Sequence, residues 1–366
     1  MTIHFPRKLV LGKGCIEDLP GDTGQGRVLI ITIEPLLAAA KALQNRLTGQ
    51  VMIDTAIAQE PSFADFDAIM QRVSPFDPDV VVGLGGGSVL DIAKLVAAQL
   101  GDDTPIRACV GNGLLKGRSR KLICLPATAG TGSEVSPNAI LVDETDNAKK
   151  GIISPFLVPD IVYVDPLLTL TVPSAITAAT GLDAFTHCLE AYTNKFAHPF
   201  IDVYAYEGMR LIAQSLVQAV RHGRDEAARS DVAMGSLLGG FCLGPVNTAA
   251  VHALSYPLGS LFHLPHGLSN ALLLPYVMEF NIPAAAERYA GAAVAMGCER
   301  NAEAGLEKVR ELIRDCGIPA RLRDLNVPYS AIEEMATAAM QITRLLKNNP
   351  REITLEDAVS IYRAAY

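Results

Sequence analysis

Five short runs of Val, Ile and Leu recur through the first half of the chain with helix-length polar segments between them, and that alternation leaves few folds open. The runs are RVLIIT (27–32), VMIDT (51–55), PDVVVGLGGG (78–87), KLICLPAT (121–128) and DIVYVDP (160–166). Their apolar residues are continuous rather than alternating, which suits strands of a parallel sheet covered on both faces. LLAAAKALQNRL and SVLDIAKLVAAQL read as helices packed between them. From about residue 169 the pattern changes to long Ala- and Leu-rich periods. That half is expected to be nearly all helix, with Pro at 173, 257, 265, 275 and 283 punctuating it. The expectation is an α/β domain over 1–168 and an all-α domain over 169–366, hinged near Asp165–Pro173 and closely packed.

A chain of 366 residues is long enough for two cores. It is 49% hydrophobic with a mean hydropathy of +0.25, yet no stretch approaches the roughly 18 apolar residues of a membrane span. The start MTIHFPRKLVLGKG lacks an export signal, so a cytoplasmic protein is expected. Seven scattered cysteines form no CxxC pair and read as reduced thiols. A formal charge of −8 without a long basic cluster argues against nucleic acid as a partner.

Two segments carry chemistry of a metal-binding type. Asp183 and His187 stand four apart in GLDAFTHCLEAY, a helix-like run, so both side chains leave one face a turn apart. His252 and His266 lie in VHALSYPLGSLFHLPHGLSNALLLP. Imidazole suits iron, zinc and copper, and a carboxylate adds a hard ligand. A lone histidine is most often a hydrogen-bonded core residue, but four candidates in apolar, Gly-bounded segments favour a metal. GLGGGSVLDIAK follows a strand and opens a helix, where bare N–H groups bind phosphate. The third glycine of the dinucleotide fingerprint falls on Ser88, so the turn alone fits a purely conformational role equally well. LPATAGTGSEVSP (125–137) offers Thr128, Thr131 and Ser133 as hydroxyl donors, with an ordinary polar loop as the alternative.

The motifs GGGSVLDIAK, PATAGTGSE, VDPLLTLTVP, GLDAFTHCLEAY and HALSYPLG…HLPHGLSNALLLP follow one another in register from about residue 80 to 280. Together they resemble the iron-dependent, group III alcohol dehydrogenases, a family similar to glycerol dehydrogenase and dehydroquinate synthase. The resemblance implies that 1–168 is a dinucleotide-binding domain and 169–366 a helical metal-binding domain, with the active site in the cleft between them. It places Gly86, Gly87 and Ser88 at the pyrophosphate, Thr128, Thr131 and Ser133 along the cofactor, and Lys149 near it. Asp183, His187, His252 and His266 become the ligands of Fe²⁺, with Zn²⁺ able to compete. The implied reaction passes hydride between NAD(P) and a small alcohol or aldehyde, or a hydroxy acid or oxo acid, whose oxygen the metal activates. A homodimer is expected. The alternatives are a maleylacetate-type reductase and a hydroxyacid–oxoacid transhydrogenase, whose branch the SYP segment resembles.

Two positions depart from the family pattern. Tyr256 stands where many members carry a histidine, and it either relays a proton or fills the core. Ile33, with Glu34 beside it, stands where NAD-preferring members carry a ribose-binding Asp, and no basic residue nearby invites the 2′-phosphate of NADP. NAD is the expected cofactor. His263 is read as facing solvent or substrate, and Cys188 as packing.

Overall fold

The computed structural model describes residues 2–146 and 148–366. Two compact units divide the chain: Thr2–Thr128 with Gly132–Thr169, and Leu170–Tyr366 with Ala129–Thr131.

Among the described residues the first unit has nine strands: β1 (Lys8–Leu11), β2 (Val28–Ile31), β3 (Val51–Asp54), β4 (Val80–Gly85), β5 (Gly111–Asn112), β6 (Lys121–Pro126), β7 (Asn138–Asp143), β8 (Ala148–Ile153) and β9 (Ile161–Val164). Its helices are α1 (Leu19–Thr23), α2 (Leu37–Gln44), α3 (Phe63–Val73) and α4 (Gly87–Gln99). Six strands form one parallel sheet in the order β1-β9-β6-β4-β2-β3. The five expected runs supply β2, β3, β4, β6 and β9, and β2, β4 and β9 are buried along their whole length. Continuous burial on both faces is why these strands lack alternation. The strand order reverses between β2 and β4. Open sheets of this kind bind ligands beyond the carboxyl ends of their strands at such a reversal, and there the glycine turn leaves β4.

A second, three-stranded sheet, β5-β8-β7, was not expected from the sequence. Residues 138–143 and 148–153 pair antiparallel, Asn138 opposite Ile153 through Asp143 opposite Ala148. Only scattered residues of this hairpin are buried, so its polar face hides the apolar pattern. β1 was also missed, because Lys8, Leu9 and Leu11 are all exposed at the sheet edge.

The second unit is helical, as expected: α5 (Ser174–Thr193), α6 (Pro199–Arg221), α7 (Glu226–Leu243), α8 (Ala250–Phe262), α9 (His266–Ala295), α10 (Ala302–Asp315), α11 (Ile332–Ala339), α12 (Thr343–Leu346) and α13 (Leu355–Ala364). The prolines correct one expectation. Pro173 and Pro265 do stand at helix N-caps, but Pro257 lies inside α8, and Pro275 and Pro283 inside α9. Proline costs a helix one backbone hydrogen bond and a local clash rather than ending it, if packing holds both flanks. The visible consequence is at Ala285, two residues after Pro283, where φ −141° and ψ 32° kink α9.

α5 is the centre of this unit. Every residue from Gly181 to Ala191 is buried, and α6, α7 and α9 pack around it. Glycines permit the close approach. A Cβ on Gly267 would stand 2.4 Å from the Ala179 carbonyl oxygen and 3.2 Å from the Asp183 Cβ. Only a bare backbone lets the start of α9, and with it His266, lie this near Asp183.

Candidate active site: a buried histidine–aspartate cluster and a glycine turn

Asp183 and His187 leave the buried face of α5 one turn apart, as their spacing requires. His252 comes from the first turns of α8, and His266 opens α9. The structure brings the ligand atoms of Asp183, His187 and His252 within 4.8 Å of one another, and His266 stands beside that group through Asp183. The Nε2 atoms of His252, His187 and His266 lie 3.5, 3.8 and 3.8 Å from a single atom, Asp183 Oδ1. The His187 and His252 rings stack at 4.8 Å, and the His252 and His266 rings meet at 5.2 Å. Asp183, His187 and His252 are buried, while the His266 side chain keeps 30% of its exposure.

These distances suit a cation. Four N and O ligands about 2.1 Å from a tetrahedral ion stand roughly 3.4 Å apart. His252 Nε2 is buried and has no hydrogen-bond partner, a costly arrangement unless the lone pair is meant for another acid. The donor set, three imidazoles and a carboxylate with no thiolate, suits Fe²⁺ and Zn²⁺ alike.

Two residues that the sequence reading missed hold the ligands. Glu190, three residues beyond His187 on α5, accepts from His252 Nδ1 at 2.6 Å. The same carboxylate accepts from the backbone N–H of Ala249 at 3.0 Å and of Val251 at 2.6 Å. It therefore caps the otherwise uncapped start of α8 and fixes the tautomer of the histidine that α8 carries, leaving Nε2 bare. Asn270, one turn after His266, donates to Asp183 Oδ1 at 2.7 Å and lies 3.1 Å from His266 Nε2. The spacings were available: Glu190 lies seven residues from Asp183, and Asn270 four from His266, both helical intervals.

Electrostatics follow from burial and two carboxylates. For His252, burial disfavours the charged ring, but Glu190 and Asp183 outweigh it and raise the pKa to about 10. For His187, burial dominates and lowers the pKa to about 4. Burial pushes Asp183 up, yet the three surrounding histidines hold it well below the usual carboxylate range.

Tyr256, one turn after His252, sets its ring 5.8 Å from that of His266, and its hydroxyl accepts from Arg344 Nη2 at 3.3 Å. His263 caps the end of α8 with φ 54° and is exposed. Cys188 is buried and its thiol points to the Gly235 carbonyl, which bears out the packing role.

In the α/β unit, Gly86 caps α4 and Gly87 and Ser88 form its first turn, and no side-chain cap bond closes that end among the described residues. Backbone donors at the positive end of a helix are what a phosphate needs. Gly86 faces Thr128 closely: a Cβ there would lie 3.2 Å from Thr128 Oγ1. The Ser88 hydroxyl donates to the Gln59 carbonyl, and Lys149 pairs with Glu60 at 2.6 Å. Ser133, expected along the cofactor, is buried. It donates to Asp91 at 2.5 Å and accepts from Lys94 Nζ at 2.8 Å. Lys94 is fully buried and also reaches the Asn138 carbonyl at 2.7 Å, so it ties α4 to the 127–138 segment from behind. Thr131 clusters with the helical unit, where a Cβ on its neighbour Gly130 would stand 2.6 Å from Thr180 Cβ.

Comparison with known proteins decides the lineage. Residues 6–166 match the family described as iron-containing alcohol dehydrogenase, and residues 177–366 match the C-terminal part of the Fe-containing alcohol dehydrogenase family. The chain belongs to the iron-containing alcohol dehydrogenase family. It is 37% identical to long-chain-alcohol dehydrogenase 1 of Geobacillus thermodenitrificans over 100% of this chain and 96% of that relative. Among solved structures, a 1,3-propanediol oxidoreductase superposes with a TM-score of 0.94 at 31% identity, covering 100% of this chain and 99% of that one. A sulfoacetaldehyde reductase from Bifidobacterium kashiwanohense in complex with NAD⁺ superposes with a TM-score of 0.91 at 28% identity, covering 100% and 98%. The chain is accordingly an oxidoreductase of the alcohol dehydrogenase type, with iron and a nicotinamide cofactor as the family's equipment. No helix among the described residues is long and apolar enough to cross a membrane.

Proposed function

We propose that this dehydrogenase passes hydride between NAD(P) and a small alcohol or aldehyde at a divalent ion held by Asp183, His187, His252 and His266. The observation that carries the reading is the convergence of three imidazole nitrogens on one oxygen of buried Asp183. Such an ion, when bound, lowers the pKa of an alcohol oxygen and polarises a carbonyl.

The chain's own residues do the rest. Glu190 holds His252 so that Nε2 faces the cluster, and Asn270 holds Asp183. Burial of Asp183, His187 and His252 keeps bulk water from competing for the ion. Tyr256, beside His266, offers the hydroxyl that relays the alcohol proton, with Arg344 donating to its oxygen. The backbone N–H groups of Gly86, Gly87 and Ser88 take the pyrophosphate, with Thr128, Thr131 and Lys149 alongside, while Ser133 steadies the loop from within. NAD is preferred: acidic Glu34, exposed just beyond β2 and accepting from Thr55 Oγ1 at 2.6 Å, opposes a 2′-phosphate.

Seven free cysteines support a reducing, cytoplasmic setting. Exposed Phe5, Leu9 and Leu11 near the edge strand β1 support a homodimer, which sedimentation would reveal. The test of function is a steady-state screen of small alcohols, aldehydes and hydroxy acids with NAD⁺ and NADP⁺ after loading with Fe²⁺ or Zn²⁺. Alcohol-dependent cofactor reduction is expected, and its absence across the screen would overturn the assignment.

A further inference from the structure

Arg344 lies exposed on α12, and among the described residues no carboxylate pairs with its guanidinium. Elsewhere in this unit arginines do find carboxylates, as where Arg288 pairs with Asp202 and Arg310 with Glu279. The one described polar contact of Arg344 is the bond from Nη2 to the Tyr256 hydroxyl at 3.3 Å. The Tyr256 ring stands 5.8 Å from that of His266, whose Nε2 is 3.8 Å from Asp183 Oδ1. An unpaired cation is thus held two contacts away from the ligand cluster.

Its placement is built rather than incidental. Leu345, the next residue, is buried. The side chain of Asn348 donates to the Thr248 carbonyl at 2.8 Å, and its own carbonyl accepts from the Lys195 N–H at 2.8 Å. Asn349 and Asn281 exchange amide bonds at 2.7 and 2.8 Å in the interior. The short turn that presents Arg344 is therefore pinned at its end, and a ligand pays little to order it. Only one arm of the guanidinium fork is engaged, and the free edge matches the two oxygens of a carboxylate or sulfonate.

We propose that Arg344, oriented by Tyr256, is the anion-recognising residue of the substrate site. The favoured substrates are then short hydroxy acids and their oxo counterparts, with the alcohol or carbonyl carbon at one end and a carboxylate or sulfonate at the other. The reacting end meets the metal ligands while the anionic end meets the guanidinium. A neutral alcohol of equal length leaves that fork without a partner. The inference rests on the dehydrogenase reading and adds the chemical class of its substrate.

Two matched pairs test it: 4-hydroxybutyrate against 1,4-butanediol for turnover, and glutarate against 1,5-pentanediol for binding in the absence of NAD(P)⁺, where neither can react. Wild type, Arg344→Met and Arg344→Lys are compared. The wild type is expected to favour 4-hydroxybutyrate in kcat/KM. Arg344→Met should lower the acid-to-diol ratio roughly 10- to 100-fold, the worth of a charge-assisted hydrogen bond, mostly through KM. Arg344→Lys, which keeps the charge but not the fork, should recover part of it. Calorimetric titration should show glutarate binding to wild type and weakened to the same degree in Arg344→Met. A ratio that stays constant across the three proteins, with glutarate no better bound by wild type than by Arg344→Met, overturns the proposal. If no alcohol is turned over yet glutarate still distinguishes the variants, the anion site stands and the dehydrogenase reading falls instead.

Discussion

Glu190→Gln isolates the residue on which the metal geometry turns. The carboxylate accepts three N–H groups: Ala249 at 3.0 Å and His252 Nδ1 at 2.6 Å on Oε2, and Val251 at 2.6 Å on Oε1. Glutamine has the same shape but one acceptor oxygen. With that oxygen in the Oε2 place, its NH₂ opposes the Val251 N–H and leaves a buried donor unsatisfied. With the oxygen in the Oε1 place, its NH₂ opposes Ala249 and forces His252 to move its proton to Nε2, the nitrogen needed by the metal. A buried donor left unpaired costs about 1–3 kcal/mol, which lowers the melting temperature by about 1–4 °C in a protein of this size. Loss of a carboxylate that orients a histidine ligand typically weakens metal binding about 10- to 100-fold, or about 1.4–2.7 kcal/mol. Scanning calorimetry of the metal-free protein reads the first effect, and competition with a chelator of known affinity reads the second. A Gln variant with the wild-type melting temperature and metal affinity would refute the argument that this carboxylate fixes His252.

Four further outcomes follow from the same geometry. Because His252 is raised to about 10 in the metal-free protein, an incoming ion must displace its proton, so affinity should fall about tenfold per pH unit from pH 8 to pH 6 with about one proton released, whereas His187, held to about 4, adds none there; the same raised group stabilises the metal-free fold below its unfolded value of 6.5, and that contribution disappears as pH rises through 10. A pH-independent affinity sinks this account. Gly86→Ala places a methyl 3.2 Å from Thr128 Oγ1 and over the phosphate face, and should weaken NADH binding about tenfold or more in a fluorescence titration without unfolding the protein; an unchanged titration removes the glycine turn from the cofactor site. Lys94→Met leaves partly buried Asp91 without its cation and should cost about 1–3 kcal/mol in urea denaturation, with Asp91→Asn restoring part; additive losses from the two substitutions would contradict their coupling. Tyr256→Phe keeps the ring beside His266 but removes the hydroxyl, so metal retention should persist while kcat falls at least about tenfold; full turnover with an unshifted pH–rate curve would leave the tyrosine as packing.

What could be read in the sequence was whatever has a short period. The four-residue step from Asp183 to His187 and the turn from strand to helix at Gly83–Gly87 are local, and the structure shows them where expected. Continuous Val and Ile runs announced strands covered on both faces, while the β7–β8 hairpin, with little burial, carried no such pattern. Lys94 misleads for the opposite reason. A lysine in an amphipathic helix ordinarily faces solvent, and only the distant Ser133, Asp91 and Asn138 partners make its burial tolerable. Glu190 was legible as a helical neighbour of His187, but its partners lie about sixty residues away on α8. Prolines 257, 275 and 283 looked like stops because propensity is local, and packing of the flanking turns overrode it.

The central claim is that Asp183, His187, His252 and His266 hold one catalytic divalent ion. Its most direct test is elemental analysis of purified protein, then of chelator-stripped protein refilled with Fe²⁺ or Zn²⁺, for wild type, His252→Ala and His266→Ala, alongside alcohol-dependent NAD⁺ reduction. One tightly held ion per wild-type chain is expected, with activity that is lost on stripping and returns on refilling, and sharply weaker retention in both alanine variants. Full metal occupancy in His252→Ala, or undiminished turnover by the stripped wild type, would contradict it.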